Sequence, residues 1–135
     1  MVHAKQIHEA VLYATDLEAA AKFYTEGFGL ELVSQNEIML VLSVGSTYLL
    51  IFNPQKSSVT GRAVPPHGSS GPGHIAFVAE ASELASWRQR LSEADIQIVS
   101  EVIWNEGTGG TSIYVKDPAG NSVELAPPDL WSGSS

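Results

Sequence analysis

Four side chains able to bind a metal or move a proton stand in or beside short apolar runs: His8, Glu9, His74 and Glu124. Neutral imidazole and carboxylate oxygen are donors that suit divalent first-row metals, and a carboxylate can also accept a proton from a substrate. Glu124 lies in Ser122-Val123-Glu124-Leu125-Ala126. Strand alternation sets Val123 and Leu125 on one face and Ser122, Glu124 and Ala126 on the other. If the second face looks into an interior, Glu124 is a buried charge and requires a cationic partner, a proton or a metal. If it looks outward, Glu124 is a solvated residue on a half-exposed strand, the commoner situation for glutamate.

Whether these residues meet depends on the elements that carry them. The first half reads as a strand over 7–14, then a helix with Asp16 as N-cap, an apolar stripe of Leu17, Ala20, Ala21 and Tyr24, and Gly27 as C-cap. Short strands over 30–34, 38–43 and 47–53 follow. The segment 54–72 is rich in Ser, Gly and Pro and has no periodicity, so it reads as a long connection. Its His67 is expected to be a loop residue, with closure over a ligand as the other reading.

The pattern then repeats. A strand over 73–79 precedes a helix with Ser82 as N-cap and a stripe of Leu84, Trp87, Leu91 and Ala94, followed by strands over 96–104, 111–116 and 122–126. Asp117-Pro118-Ala119-Gly120 fits a type I turn before the last strand, with the Asp side chain bonding the turn's own backbone. Residues 127–135 form a tail whose Trp131 is expected to cover apolar surface. The chain is therefore one α+β domain over 1–135, built of two βαβββ modules (7–53 and 73–126) joined by the connection. Helices covering one side of each sheet leave the other sides to enclose a cavity in a half-open barrel.

That arrangement places His74 at the start of the fifth strand, as His8 and Glu9 stand at the start of the first. Neighbours on a strand face opposite sides, so only one of the latter two can line the cavity, and comparison of the two halves leaves both open. Matching Gly45 with Gly120 makes Leu49 the first-module counterpart of Glu124. Tyr114, Phe52, Trp104 and Asn53 either line the cavity or pack in the core. Gly107-Thr108-Gly109-Gly110 lacks the Lys and the strand-to-helix setting of a phosphate loop and reads as a turn.

Composition narrows the partners. Fifteen acidic against seven basic residues give a net charge of −8, which disfavours nucleic acid and anionic membranes. There is no Cys, hence no disulfide framework or thiol nucleophile. No apolar run approaches spanning length, and a cytoplasmic protein is expected.

Leu12-Tyr13-Ala14-Thr15-Asp16-Leu17, Phe23-Tyr24, Phe28-Gly29-Leu30, Gly73-His74-Ile75-Ala76-Phe77 and Asp117-Pro118-Ala119-Gly120-Asn121-Ser122-Val123-Glu124-Leu125 together resemble the glyoxalase/bleomycin-resistance/dioxygenase group, the vicinal oxygen chelate superfamily. The resemblance implies paired βαβββ modules, cavities often completed across a homodimer, and a divalent metal that binds two substrate oxygens. In the family's first motif a metal-binding His precedes the helix-starting Asp by seven residues, and that position is Glu9 ahead of Asp16. The ligand set so implied is Glu9, His74 and Glu124, with Glu124 and Glu9 also serving as catalytic carboxylates and His8 on the helix-facing side. Candidate ions are Mn, Mg, Ni, Zn or Fe, the oxygen-rich set favouring Mn²⁺ or Mg²⁺. Leu49 stands where glyoxalase-like members carry a fourth ligand. The set thus departs from both the four-ligand lyases and the two-His-one-carboxylate iron enzymes. The expected function is a divalent-metal-dependent enzyme of lyase, isomerase or dioxygenase type acting on a small oxygenated metabolite. The alternative is a non-catalytic binder that sequesters a small molecule such as an antibiotic.

Overall fold

A computed structural model describes residues 2–132, so positions 133–135 of the expected tail lie outside the described residues. The chain divides into two compact units, Met1–Gly71 and Pro72–Ser135, each carrying one four-stranded sheet.

The first unit runs β1 (Glu9–Tyr13), α1 (Leu17–Lys22), β2 (Glu31–Gln35), β3 (Met39–Val44), β4 (Thr47–Phe52) and a short α2 (Pro54–Ser57). Its sheet has the order β1-β4-β3-β2, with β1 parallel to β4 and the other pairs antiparallel. Alternation explains what is buried: Leu12 on β1, Leu40 and Leu42 on β3, and Leu49 and Ile51 on β4 are all at or below 5% exposure. These side chains share the face on which α1 packs, and α1 adds Leu17 and Ala20. Asp16 starts the helix as expected, its Oδ1 accepting from the Ala19 backbone N–H at 3.0 Å.

The helix does not stop at Gly27. A π-helical turn over Phe23–Gly27 carries it on to Gly29, which takes φ 69° and donates to the Thr25 carbonyl, while Leu30 donates to that of Tyr24. The Thr25 hydroxyl, bonded back to the Ala21 carbonyl at 2.8 Å, accompanies that widened turn. The wider turn buries Phe23, Tyr24 and Phe28 together, the first two edge-to-face at 4.8 Å between centroids. Glycine is needed two residues later than helical spacing alone suggested.

The second unit repeats the plan: β5 (His74–Val78), a 3₁₀ turn (Ala81–Glu83) leading into α3 (Leu84–Glu93), then β6 (Ser100–Ile103), β7 (Thr111–Lys116) and β8 (Ser122–Ala126). Its sheet has the equivalent order β5-β8-β7-β6, with β5 parallel to β8. Ile113, Val115, Val123 and Leu125 are buried on one face of β7 and β8, and Leu91 of α3 is fully buried. The N-cap is Glu80 rather than Ser82: the Glu80 backbone N–H donates to the Glu83 carboxylate at 2.9 Å, a capping box built of two glutamates. Trp131 is 88% exposed, so it does not cover apolar surface within the chain as expected. Among the described residues no helix is long and apolar enough to cross a membrane. The architecture is α+β, two βαβββ modules in tandem.

Candidate functional site

Glu124 sits in the middle of β8, and its position is fixed from the turn before it. Asp117 is nearly buried; its Oδ1 accepts from the backbone N–H groups of Ala119 and Asn121 at 3.0 and 2.8 Å, and its Oδ2 accepts from the Asn121 amide at 2.9 Å. Gly120 closes the turn at φ 89°, donating to the Asp117 carbonyl at 2.9 Å. The other end of the Asn121 side chain accepts from the Gly73 N–H at 2.7 Å. The turn is therefore clasped to the residue that precedes β5. That clasp sets the register of β5 on β8, with His74 opposite Ser122 and Ala76 opposite Glu124.

On the face away from Val123 and Leu125 this register gathers a polar row. His74 Nε2 lies 3.2 Å from Glu124 Oε1, and His74 Nδ1 lies 3.1 Å from the Ser122 hydroxyl. The His74 ring stacks near that of Tyr114, which pairs with Glu124 across β7 and β8. Beyond Tyr114, the indole N–H of Trp104 donates to the buried Ser112 hydroxyl at 2.8 Å. The Glu124 side chain is 8% exposed against 50% for His74. Its second oxygen, Oε2, is buried with no hydrogen-bond partner, and among the described residues no other buried side-chain polar atom is left so. Such an atom normally bears the full desolvation cost, so in native structures a buried acceptor of this kind is met by an ordered water, an ion or a ligand.

Burial, and then the charge and hydrogen bonding of Glu124, hold the Tyr114 phenol above the usual range, with the Ser112 hydroxyl pulling the other way. Like any phenol, Tyr114 is a protonated donor at neutral pH, and the shift bears only on alkaline conditions. Below about pH 10 a phenol is protonated in both folded and unfolded chains, so it adds no pH dependence. Above that value the unfolded chain releases its proton first, and stability falls as pH rises. In chelator-treated protein, Tyr114→Phe is expected to lose less stability than wild type between about pH 9 and 11. Parallel melting curves over that range check it.

A divalent ion fits the His74–Glu124 pair. Two donors about 2.1 Å from an octahedral ion lie about 3 Å apart, close to the 3.2 Å between Nε2 and Oε1. The unpartnered Oε2 supplies a further lone pair. Among the described residues, however, no group of three or more His, Asp and Glu side chains is gathered closely enough to hold a metal. The structure joins His74 to Glu124 and leaves Glu9 in the first unit. There Glu9 begins β1, and alternation puts it on the same face as Val11 and Tyr13, opposite the buried Leu12. His8 lies outside the strand and is not packed beneath the helix; its ring is largely exposed, with Nδ1 3.3 Å from Glu9 Oε1.

The first-module counterpart of Glu124 is Leu50, not Leu49. Glu9 pairs with Tyr48 as His74 pairs with Ser122, so two residues on, Leu50 answers to Glu124. Leu49 is buried on the α1 side with Ile51. The glycines do not correspond because Val44 pairs with Thr47 across a two-residue turn, whereas Lys116 pairs with Ser122 across five residues. Either way the position is apolar. Phe52 joins Tyr13 and His67 in a ring cluster, and Asn53 is spent capping α2.

A surface cavity of about 610 Å³ is lined by Asp16, Asn36, Glu37, Asn53 and Lys56 among others and contains none of the expected ligands. Five of its polar groups already have structural partners: Asp16 and Asn53 cap helices, Asn36 holds the backbone of Ile38 and Met39, and Lys56 pairs with Glu37.

Residues 6–125 match the Glyoxalase/Bleomycin resistance protein/Dioxygenase superfamily. The chain is similar to a lactoylglutathione lyase from Agrobacterium tumefaciens, with 37% identity, a TM-score of 0.88, and 96% of this chain and 98% of that one covered. It is 28% identical to the glyoxalase domain-containing protein RDO1 of Mycosarcoma maydis over 90% of this chain and 68% of that protein. The fold is also that of the fosfomycin resistance protein FosX from Listeria monocytogenes, solved as a mutant with Mn(II) and a dihydroxypropylphosphonic acid. That chain is 19% identical, with a TM-score of 0.68 and coverage of 96% and 95%.

Proposed function

The chain belongs to the Glyoxalase/Bleomycin resistance protein/Dioxygenase superfamily, and from that premise we propose that it is a divalent-metal-dependent enzyme acting on a small oxygenated metabolite. One observation carries the reading: a buried carboxylate oxygen with no partner, on the residue whose other oxygen already meets an imidazole nitrogen. A sequestering module of the same fold has no use for that arrangement, because burying an unsatisfied charged group weakens it. The fold is one in which the FosX resistance protein was solved with Mn(II), and similarity to a lyase leaves the reaction open.

His74 and Glu124 would hold the ion, and Glu9 is assigned to it by its place in the first motif. The group would supply Lewis-acid polarisation of a carbonyl or stabilisation of an enolate. The chain's own contributions follow from the polar row. Glu124 or Glu9 takes the substrate proton as general base. Tyr114, a phenol and so protonated at neutral pH, donates a hydrogen bond to a substrate oxygen. Ser122 holds His74 by Nδ1, leaving Nε2 for the ligand position. The apolar Leu50 at the place matching Glu124 favours an oxygen-rich set with fewer protein ligands than the four-ligand lyases.

Elemental analysis of protein purified without chelator is expected to show about one divalent ion per chain. Glu9→Gln and His74→Gln should each weaken binding by roughly ten- to a hundredfold or more, taking the cost of losing a supporting partner as the lower bound. Full metal content in His74→Gln would overturn the assignment. Full content in Glu9→Gln alone would remove Glu9 and leave the pair.

A further inference from the structure

The segment that follows α2 has no periodicity, yet one of its residues is fixed through both backbone and side chain. The fully buried Ser57 donates its hydroxyl to the His67 carbonyl at 2.7 Å. Its own carbonyl accepts from the His67 N–H at 3.0 Å and from Arg62 Nη1 at 3.1 Å. So held, the His67 ring stands edge-on to Phe52, with centroids 4.4 Å apart and planes at 86°, and its Nδ1 lies 2.7 Å from the Tyr13 hydroxyl. Tyr13 and Phe52 are register partners on β1 and β4. Alternation puts both on the face of the first sheet that α1 leaves uncovered.

Gly61 and Gly71 bracket this segment with φ 88° and 84°, and nothing lies within 4 Å of where a Cβ would stand on either. Both thus hold a left-handed backbone that favours glycine, in open surroundings. Gly68, next to His67, is different: a Cβ there would come within 3.3 Å of the Pro54 carbonyl and the Ser58 side chain. The segment is therefore closely packed at Gly68 and surrounded by open space at the two glycines that bracket it.

We infer that residues 62–70 form a hinged strap, latched by His67 onto Tyr13 and Phe52, which opens about Gly61 and Gly71 and gates that end of the uncovered face of the first sheet. The latch is composite. The ring packing and the Tyr13 bond attach the strap to the sheet, and the Ser57 bonds keep His67 in the one place from which it can reach. Opening exposes the Tyr13 hydroxyl and the Phe52 ring together, so a ligand approaching that face meets a polar donor beside an aromatic surface. The inference stands on the first unit alone and does not depend on the metal reading.

Arg62 provides a direct readout, because trypsin cuts after arginine only where the chain can unfold locally into its cleft. When opening is fast relative to cleavage, the cutting rate follows the open population. Native full-length protein would be digested under limiting trypsin and the cut sites resolved by mass. Tyr13→Phe keeps the ring and removes one hydrogen bond of the latch. It is expected to raise the rate at Arg62–Ala63 about five- to tenfold, and His67→Ala should raise it further. Cleavage after Lys22, Arg88 and Arg90, which lie in helices α1 and α3, should not change. An unaltered Arg62 rate in Tyr13→Phe would overturn the latch. So would a parallel rise at all sites, which would mean global destabilisation.

Discussion

Glu124→Leu is expected to abolish the rise in melting temperature that a divalent cation gives the wild-type protein, while the chelator-treated variant melts at the same temperature or higher. Two features of the structure drive opposite signs. A cation that binds only the folded chain stabilises it by mass action, by about 2.7 kcal/mol at a hundredfold excess over its dissociation constant. Without the cation, Oε2 is a buried acceptor with no hydrogen-bond partner, while the half-exposed His74 meets Oε1. Leucine keeps roughly the volume and removes the unsatisfied charge, and replacing buried charge by apolar volume is often neutral or stabilising. Melts of wild type and variant, each with EDTA and with Mn²⁺, Mg²⁺, Ni²⁺ or Zn²⁺, read both effects at once. Survival of the metal response in the variant would make Glu124 a structural carboxylate. A large loss of metal-free stability would show that its pairing with His74 matters to the fold.

Asp117→Ala should show the opposite pattern, a large loss of stability with or without metal. The carboxylate, itself buried, accepts two backbone bonds and one amide bond. Hydrogen bonds to a charged group contribute about 1.5–3 kcal/mol each, and stranded donors add a desolvation cost. Shared partners make these non-additive, so the expected loss is about 3–4 kcal/mol rather than the full total. Urea unfolding measures it, and a loss below about 1 kcal/mol would contradict the clasp. A second consequence distinguishes the clasp from ordinary packing. Because Asn121 ties this turn to Gly73, next to His74, Asp117→Ala should also weaken metal binding although Asp117 touches no ligand position. Asp117→Asn, which keeps one acceptor oxygen, should fall between.

The same clasp shows why parts of the chain were legible in advance. The boundaries of β7 and β8 follow from strict alternation bounded by a turn whose residues each have a distinct local reason to be there. Asp16 announced α1 because its side chain acts only on the backbone three residues away. Features set by tertiary packing were not legible. The π turn that carries α1 past Gly27 serves the Phe23–Tyr24–Phe28 cluster, and no period in the sequence announces it. Glu80 caps where Ser82 was expected because a reciprocal bond from Glu83 outweighs the intrinsic preference for serine. The counterpart of Glu124 slipped by one residue because the two hairpins have different turn lengths, and one residue changes the face. Within the site, the pairing of His74 with Glu124 could be anticipated from the repeated module. The contributions of Ser122 and Tyr114 could not, since they depend on the register of β5 and β7 against β8. The bond from His67 to Tyr13 joins residues 54 positions apart in the chain, which no local pattern encodes.

Binding of a divalent ion by His74 and Glu124 together can be read with Mn²⁺, because free aqueous Mn²⁺ has a strong electron paramagnetic resonance signal that binding broadens. Chelator-stripped wild-type protein would be titrated with Mn²⁺ at neutral pH. The free-ion signal is expected to stay suppressed until about one equivalent per chain has been added, and to appear from the first addition in Glu124→Leu and in His74→Gln. A free signal from the first addition to wild-type protein, or unchanged suppression in both variants, would contradict binding by the pair.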